Sequence, residues 1–147
     1  MSHRPLRAVL AAGWSHHAQA RPQTTPTGVV SSFQSLKLKN AIETRVVSLI
    51  GGIDEQTVGP VIQQLRYLDR SAPGEPILLE VSSDGGDVYA GTALIDVMKA
   101  LKSPVMTLAL GQALSMAAII VASGEPGARY AAPNTRIMIH QPSRTVK

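Results

Sequence analysis

The sequence predicts an α/β domain with a mainly parallel sheet built from repeated β-α units. Short apolar runs of strand length alternate, from residue 45 onward, with segments whose apolar residues recur every three or four positions. Strands separated by helices require crossover connections, which favours parallel pairing. Hydrophobic residues make up 44% of the chain but aromatic residues only 3%, so aliphatic side chains must fill the core.

The first repeated unit begins with the apolar run Val46–Ile50, which predicts a strand closed by a glycine turn. Asp54 is suited to cap the helix that follows, and Pro73 limits its far end. Apolar residues recur at helical spacing through this segment and are expected to face the core: Val58, Val61, Ile62, Leu65 and Leu68.

Further strands are predicted at Ile77–Val81, Val105–Leu110 and Arg136–His140, with a helix over Met116–Ser123. The helix between the second and third strands should turn these residues inward: Val88, Gly91, Leu94, Ile95, Met98 and Leu101. Ligand sites in parallel sheets lie at the carboxyl ends of strands. Two turns at such ends carry candidate chemistry, the SSDGGD turn and the turn with Ser115.

Residues 1–40 are predicted to be a basic, disordered leader, and residues 41–147 the folded domain. Five of the 14 basic residues precede the first acidic residue, Glu43, so the net charge of +4 reflects the leader and not a basic binding face. No nucleic-acid or membrane partner is expected. The absence of cysteine fits a reducing compartment, and we expect a cytoplasmic location, with mitochondrion or plastid as the alternative if the leader is a transit peptide.

Ser115 follows an apolar strand and opens a helix, a position that exposes a hydroxyl beside free backbone N–H groups. Taken alone, this position favours an ordinary N-cap serine. His140 ends the last predicted strand and has a side chain suited to proton transfer near neutral pH. Taken alone, it is more typical of a histidine with a structural hydrogen bond.

Gly85 and Gly86 either form a simple turn with positive φ or bring backbone N–H donors close to a reacting carbonyl, since no Cβ stands in the way. Asp84 precedes them directly and adds a negative charge that an oxyanion site disfavours. The residues alone leave both interpretations of the turn open.

Three segments together decide between the interpretations of Ser115, His140 and the glycine turn: SSDGGDVYAG, GQALSMAA and RIMIHQP. They resemble the Clp protease proteolytic subunit family, whose patterns are SPGG, GQAASMGA and RxMIHQP. The resemblance runs from Ile42 to Pro142, with the first two motifs 30 residues apart at Gly85 and Ser115, and His140 25 residues further on. It implies a ClpP/crotonase-like fold.

The resemblance implies that Ser115 is the nucleophile of a serine endopeptidase and His140 its general base. It also implies that the backbone N–H groups of Gly85 and Met116 form the oxyanion hole, while Gly86 keeps the turn open to a peptide. The family assembles into stacked rings and receives unfolded proteins from a hexameric AAA+ unfoldase. Its axial N-terminal segment would map near Val29 to Lys39, so the resemblance makes such a segment the alternative to a disordered leader within residues 1–40. No cofactor or metal is expected.

Three departures from the family pattern accompany these expectations. Asp84 stands where the family has proline, and Leu114 and Ala117 are larger than their counterparts. The family's triad aspartate lies well beyond the histidine, whereas this sequence continues for only seven residues after His140, so we expect a C-terminally truncated member.

Two alternatives to an active peptidase subunit stay open at this point. A non-catalytic, ClpP-like structural subunit of a mixed ring would need no triad acid. An acyl-CoA enzyme of the crotonase type shares the fold and an oxyanion hole, but its chemistry does not need a serine paired with a histidine.

Overall fold

A computed structural model describes residue 41 and residues 43–141 of the chain. Residues 45–147 make up one unit of the chain, and the fold below is that of its described part, residues 45–141. The leader predicted over residues 1–40 lies outside the described residues. The domain boundary at residue 40 therefore stays a prediction.

Strands and helices alternate as the sequence predicts. Within residues 45–141 the elements are β1 (Val46–Ile50), α1 (Glu55–Ser71), β2 (Ile77–Ser83), α2 (Val88–Ala100), β3 (Val105–Leu114), α3 (Met116–Ala122), β4 (Arg129–Ala131) and β5 (Arg136–Met138). The strands lie in the order β1-β2-β3-β4, with β5 also paired to β3, and every pair is parallel. The α/β class with a mainly parallel sheet is confirmed. No helix in the described residues has the length and apolar character of a bilayer span.

Helix α1 begins at the predicted cap. The carboxylate of Asp54 accepts the backbone N–H of Thr57 at 2.8 Å, and the Thr57 hydroxyl accepts the backbone N–H of Asp54 at 3.1 Å. The hydrogen bonds from the backbone and side chain of Thr57 hold the pKa of the Asp54 carboxyl below its usual value. Four of the five apolar residues expected to face the core are buried, and Ile62 is half-buried.

The main core lies between the sheet and the three helices. Its fully buried members are aliphatic, as the low aromatic content requires, and include Val47, Leu49, Leu65, Leu79, Val81, Leu94, Ala109 and Ile120. Burying one such leucine or valine contributes about 1.5–3 kcal/mol. This core fixes the positions of β2 and β3, whose carboxyl ends carry the candidate site.

Helix α2 differs from its prediction at both ends. Val88 is the first helical residue and is 50% exposed, because it lies at the open carboxyl edge of the sheet. Leu101 follows the last helical residue and is half-buried. Gly91 is buried where α2 meets α3. A Cβ at this position would lie only 2.7 Å from Cε of Met116. The glycine therefore allows the two helices to approach closely.

Strand β3 is longer than predicted and reaches two different partners. Gly111 has φ of 68°, and the register with β2 shifts there, so that Val81 pairs with Ala109 but Ser83 pairs with Ala113. The first part of β3 pairs with β4 and its last residues pair with β5. Strand β4 was not predicted because three residues carry no usable period. Beyond the bulge, β3 runs beside β5, so that residue 115 lies next to the end of β5.

Arg45 closes the C-terminal end of α1. Its guanidinium donates hydrogen bonds to the carbonyl oxygens of Leu68 at 3.1 Å, Glu75 at 2.8 Å and Pro76 at 3.0 Å. The C-terminal end of a helix leaves carbonyl groups without intrahelical partners, and a positive charge there also interacts favourably with the helix dipole. One side chain thus ties the start of β1 to the end of α1.

We expect Arg45→Lys to lower the free energy of unfolding by about 2 kcal/mol, because lysine keeps the charge but lacks the planar fork that reaches several carbonyls. Urea denaturation followed by circular dichroism measures this change. Arg66→Lys is the matched control, since Arg66 is exposed on α1 and its side chain has no hydrogen bond assigned among the described residues. Equal midpoints for the two variants would contradict the assigned role of Arg45.

Candidate active site

The candidate residues meet at the carboxyl ends of β2, β3 and β5. Ser115 directly follows β3, and His140 lies two residues beyond β5. Oγ of Ser115 and Nε2 of His140 are 2.8 Å apart, within hydrogen-bond distance. Ser115 is half-buried and His140 is exposed, so the pair is open to a substrate.

The backbone of Ser115 is strained. Its φ of 55° and ψ of −122° lie where residues with a Cβ are rarely found. Ser115 occupies the N-cap position of α3, yet its side chain makes no capping hydrogen bond, and only its carbonyl accepts from Ala118 at 3.1 Å and Ile119 at 3.4 Å. The hydroxyl contacts His140 instead of closing the helix.

A backbone hydrogen bond fixes the serine against the strand that carries the histidine. The N–H of Ser115 donates to the carbonyl of Met138 at 2.8 Å, which continues the parallel register in which Leu114 pairs with Met138. Because this bond lies next to both side chains, the distance between Oγ and Nε2 is set by strand pairing and not by the side chains alone.

The glycine turn packs directly against the serine. A Cβ added to Gly85 would lie 2.8 Å from Cβ of Ser115 and 3.3 Å from the backbone nitrogen of Met116. A Cβ on Gly86 would overlap the backbone of Ile53. Their φ values are 100° and 149°, a region that favours glycine. The turn therefore needs both positive φ and the absence of a Cβ at these two positions.

The two glycine N–H groups differ in their hydrogen-bond partners. The N–H of Gly85, the predicted oxyanion donor, already donates to Oγ of Ser83 at 3.0 Å. No acceptor is assigned to the N–H of Gly86 among the described residues. The carbonyl of Gly85 accepts from the N–H of Ile53 at 2.8 Å, and in a trans peptide the N–H points opposite to the carbonyl.

The free N–H of Gly86 is consequently directed away from Ile53. Ile53 lies on the β1 side of the turn, and β2 lies between β1 and β3 in the sheet. The N–H of Gly86 therefore points to the β3 side of the turn, where Ser115 lies. Gly86 is exposed, so this donor is accessible, whereas Gly85 is buried.

A second N–H group lies beside the serine at the start of α3. Met116 is the first helical residue, so its N–H has no intrahelical acceptor, and none is assigned to it elsewhere in residues 43–141. The side chain of Met116 is buried against Gly91 on α2, which holds the residue in place. Gly86 and Met116 therefore provide two backbone donors next to Ser115.

The hydrogen bond to Ser115 is the only one assigned to the side chain of His140 in the described part of the chain. Asp54 and Asp87 accept backbone N–H groups at the starts of α1 and α2, and Asp69 accepts the N–H of Ser103 at 2.7 Å. Asp84 is exposed beside the glycines. None of these carboxylates is bonded to His140. Residues 43–141 contain no cluster of three potential metal ligands.

Ser83 and Ile53 hold the turn but were not singled out from the sequence. Ser83 continues the inward-facing row Ile77, Leu79 and Val81, so a hydroxyl is buried where the alternation predicts an apolar residue. A serine two residues before a glycine is also a common side-chain turn pattern. These two signals together could have identified Ser83, whereas nothing in the sequence distinguishes Ile53 from other apolar residues.

Comparison with known protein families gives a match that contains the whole site. The family model described as Clp protease matches residues 28–147. This span includes the glycine turn, Ser115 and His140, and it begins inside the predicted leader. Because the match covers more than half of the sequence, and because the α/β fold with its parallel sheet agrees with it, this chain belongs to the Clp protease family.

Proposed function

We propose that this chain is a serine endopeptidase subunit that cleaves unfolded proteins into short peptides. The observation that carries the proposal is the 2.8 Å contact between Oγ of Ser115 and Nε2 of His140, made by a serine in a strained turn at the end of a buried strand. Such a turn presents a nucleophile together with a neighbouring base. Membership of the Clp protease family supports the peptidase class.

The proposed reaction starts with His140 in the tautomer that carries its proton on Nδ1. Nε2 takes the proton from Oγ of Ser115 as Oγ bonds to the peptide carbonyl carbon. The carbonyl oxygen becomes negative and accepts hydrogen bonds from the N–H groups of Gly86 and Met116. Nε2 then gives its proton to the leaving amine as the C–N bond breaks, and water releases the acyl group from Ser115 by the same steps in reverse.

The charge on His140 decides how fast this chemistry runs. When Nε2 takes the proton, the ring becomes positive, and a carboxylate at Nδ1 would stabilise it. The described residues provide no such contact, and removing the acid from a serine triad costs about 10⁴-fold in kcat. We therefore expect low turnover wherever His140 has no carboxylate partner.

The lack of a carboxylate bonded to His140 among the described residues favours a second candidate function, a non-catalytic subunit of a mixed ring. Such a subunit would keep the family fold but would not form an acyl-enzyme. The reactivity of Ser115 distinguishes the two candidates, because a serine without an effective base is an ordinary alcohol. A crotonase-type activity has no comparable support, since that chemistry makes no use of the contact between Ser115 and His140.

The proposed partners follow from the family. We propose that the chain assembles into rings and receives substrates from a hexameric AAA+ unfoldase, with unfolded proteins as substrates. Backbone donors at a strand edge recognise extended peptides with little dependence on their sequence, which suits broad specificity. A cytoplasmic location is the corresponding proposal, with mitochondrion or plastid as the alternative.

We expect Ser115 to react covalently with a fluorophosphonate probe, because His140 removes its proton during attack. Intact-mass measurement and peptide mapping locate the adduct. Ser115→Ala should abolish labelling and His140→Ala should slow it by roughly tenfold or more, whereas Ser123→Ala, at the C-terminal cap of α3, should label normally. A folded chain that does not label would support the non-catalytic subunit, and labelling that survives in Ser115→Ala would exclude the proposed nucleophile.

Asp84→Asn should raise kcat on a fluorogenic peptide, because the Asp84 carboxylate lies in the same turn as the proposed donor and opposes the developing oxyanion. Two unit charges roughly 4 Å apart in water interact by about 1 kcal/mol, so the gain is at most about fivefold. It should shrink between about 0.01 M and 1 M salt as screening increases.

Asp96→Asn removes the same charge from an exposed position on α2 and is the matched control. It should leave kcat unchanged at both salt concentrations. An equal gain in both variants would show that net charge, and not the position of Asp84, controls the rate. No gain in Asp84→Asn would show that this carboxylate does not act on the oxyanion.

A further inference from the structure

The buried hydroxyl of Ser83 is hydrogen-bonded to the glycine turn that carries one of the proposed oxyanion donors. Ser83 is the last residue of β2 and is only 1% exposed. It occupies the end of an inward-facing row whose other members are apolar: Ile77, Leu79 and Val81. A buried polar group needs a hydrogen-bond partner, and the partner of Ser83 Oγ is the N–H of Gly85 at 3.0 Å.

This bond fixes the first of two consecutive peptide units in the turn. The unit between Asp84 and Gly85 is held through its N–H by Ser83. The next unit, between Gly85 and Gly86, is held through its carbonyl by the N–H of Ile53 at 2.8 Å. The carbonyl of Ile53 in turn accepts the N–H of Asp87 at 2.7 Å.

Two adjacent glycines are the most flexible dipeptide that a chain can contain. A donor carried by such a segment stabilises an oxyanion well only if it already points at the site before the charge develops. Ile53 orients one end of the segment through its backbone N–H, which no substitution other than proline removes. Ser83 orients the other end through a side chain, and this side chain is the part that a mutation can test.

The bond has a second consequence for the donor set. It engages the N–H of Gly85, so of the two glycine N–H groups only that of Gly86 is left for the substrate. The oxyanion then meets one donor from the turn and one from Met116. A hydroxyl at position 83 thus determines both which N–H of the turn is free and how firmly it is held.

We propose that Ser83 is a positioning residue of the oxyanion hole, which holds the glycine turn so that the N–H of Gly86 faces the carbonyl attacked by Ser115. This inference rests on the proposed function for its catalytic consequence. Its structural part, the clamping of Gly85 by Ser83, stands independently of catalysis.

The first test is kinetic and uses a fluorogenic peptide with a peptidyl boronic acid as a transition-state analogue. Ser83→Ala should lower kcat by about 10- to 100-fold with KM changed less than twofold, since removing an oxyanion donor outright costs about 10²–10³-fold. The inhibition constant of the boronic acid should rise in parallel with the loss of kcat/KM. Ser83→Thr, which keeps a hydroxyl, should recover most of both losses.

Ser82→Ala is the matched control, because Ser82 is the neighbouring serine on the opposite face of β2 and its hydroxyl has no hydrogen bond assigned in the described residues. It should match the unsubstituted protein. The proposal is overturned if Ser83→Ala keeps the original kcat and boronic acid affinity, or if Ser82→Ala loses as much. It is also overturned if KM alone changes.

The second test does not depend on activity. Amide hydrogen exchange followed by NMR should show faster exchange at the N–H of Gly85 in Ser83→Ala than in Ser82→Ala, by at least tenfold. Unchanged exchange at Gly85 would overturn the proposal even in a protein without turnover. Faster exchange in a chain whose Ser115 does not react with a fluorophosphonate would support the clamp and refute the proposed peptidase function.

Discussion

The pairing of the last residues of β3 with β5 is the contact on which the candidate site depends. Leu114 pairs with Met138, and the N–H of Ser115 continues this ladder by donating to the carbonyl of Met138. The backbone of Ser115 lies in a region that costs about 1–3 kcal/mol for a residue with a Cβ. Strand pairing on one side and the first turn of α3 on the other hold it there.

The glycine turn depends on a different constraint, which is the absence of a Cβ at Gly85 and Gly86. Gly85 lies against Ser115 and Gly86 lies against Ile53, in both cases closer than a Cβ permits. Chain flexibility is the cost of two glycines. Hydrogen bonds to Ser83 and Ile53 offset that cost and hold the turn.

Much of the fold could be predicted from the sequence, because the periodic patterns are long and strong. The alternation of strands and helices, the cap at Asp54 and the buried residues of α1 follow from local spacing and composition. Strand β4 does not, because three residues carry no usable period, and the continuation of β3 to Leu114 does not, because it depends on a bulge at Gly111 and on pairing between distant segments.

The site was predictable in its members but not in its details. The resemblance to the family's motifs implies the pairing of Ser115 with His140. The choice between Gly85 and Gly86 as donor required the direction of a single peptide plane, which no residue pattern encodes. The sequence places Asp84 beside the two glycines, but the effect of its charge on the oxyanion depends on the direction of its carboxylate.

The most direct test of the account is a crystal structure of the protein after reaction with a peptidyl chloromethyl ketone. This reagent bonds to a nucleophilic serine through its carbonyl carbon and to the adjacent histidine through its methylene carbon. The account predicts bonds to Oγ of Ser115 and Nε2 of His140, with the former ketone oxygen within hydrogen-bond distance of the N–H groups of Gly86 and Met116. Reaction at other residues, or an oxygen held by the N–H of Gly85 with its bond to Ser83 broken, would contradict it.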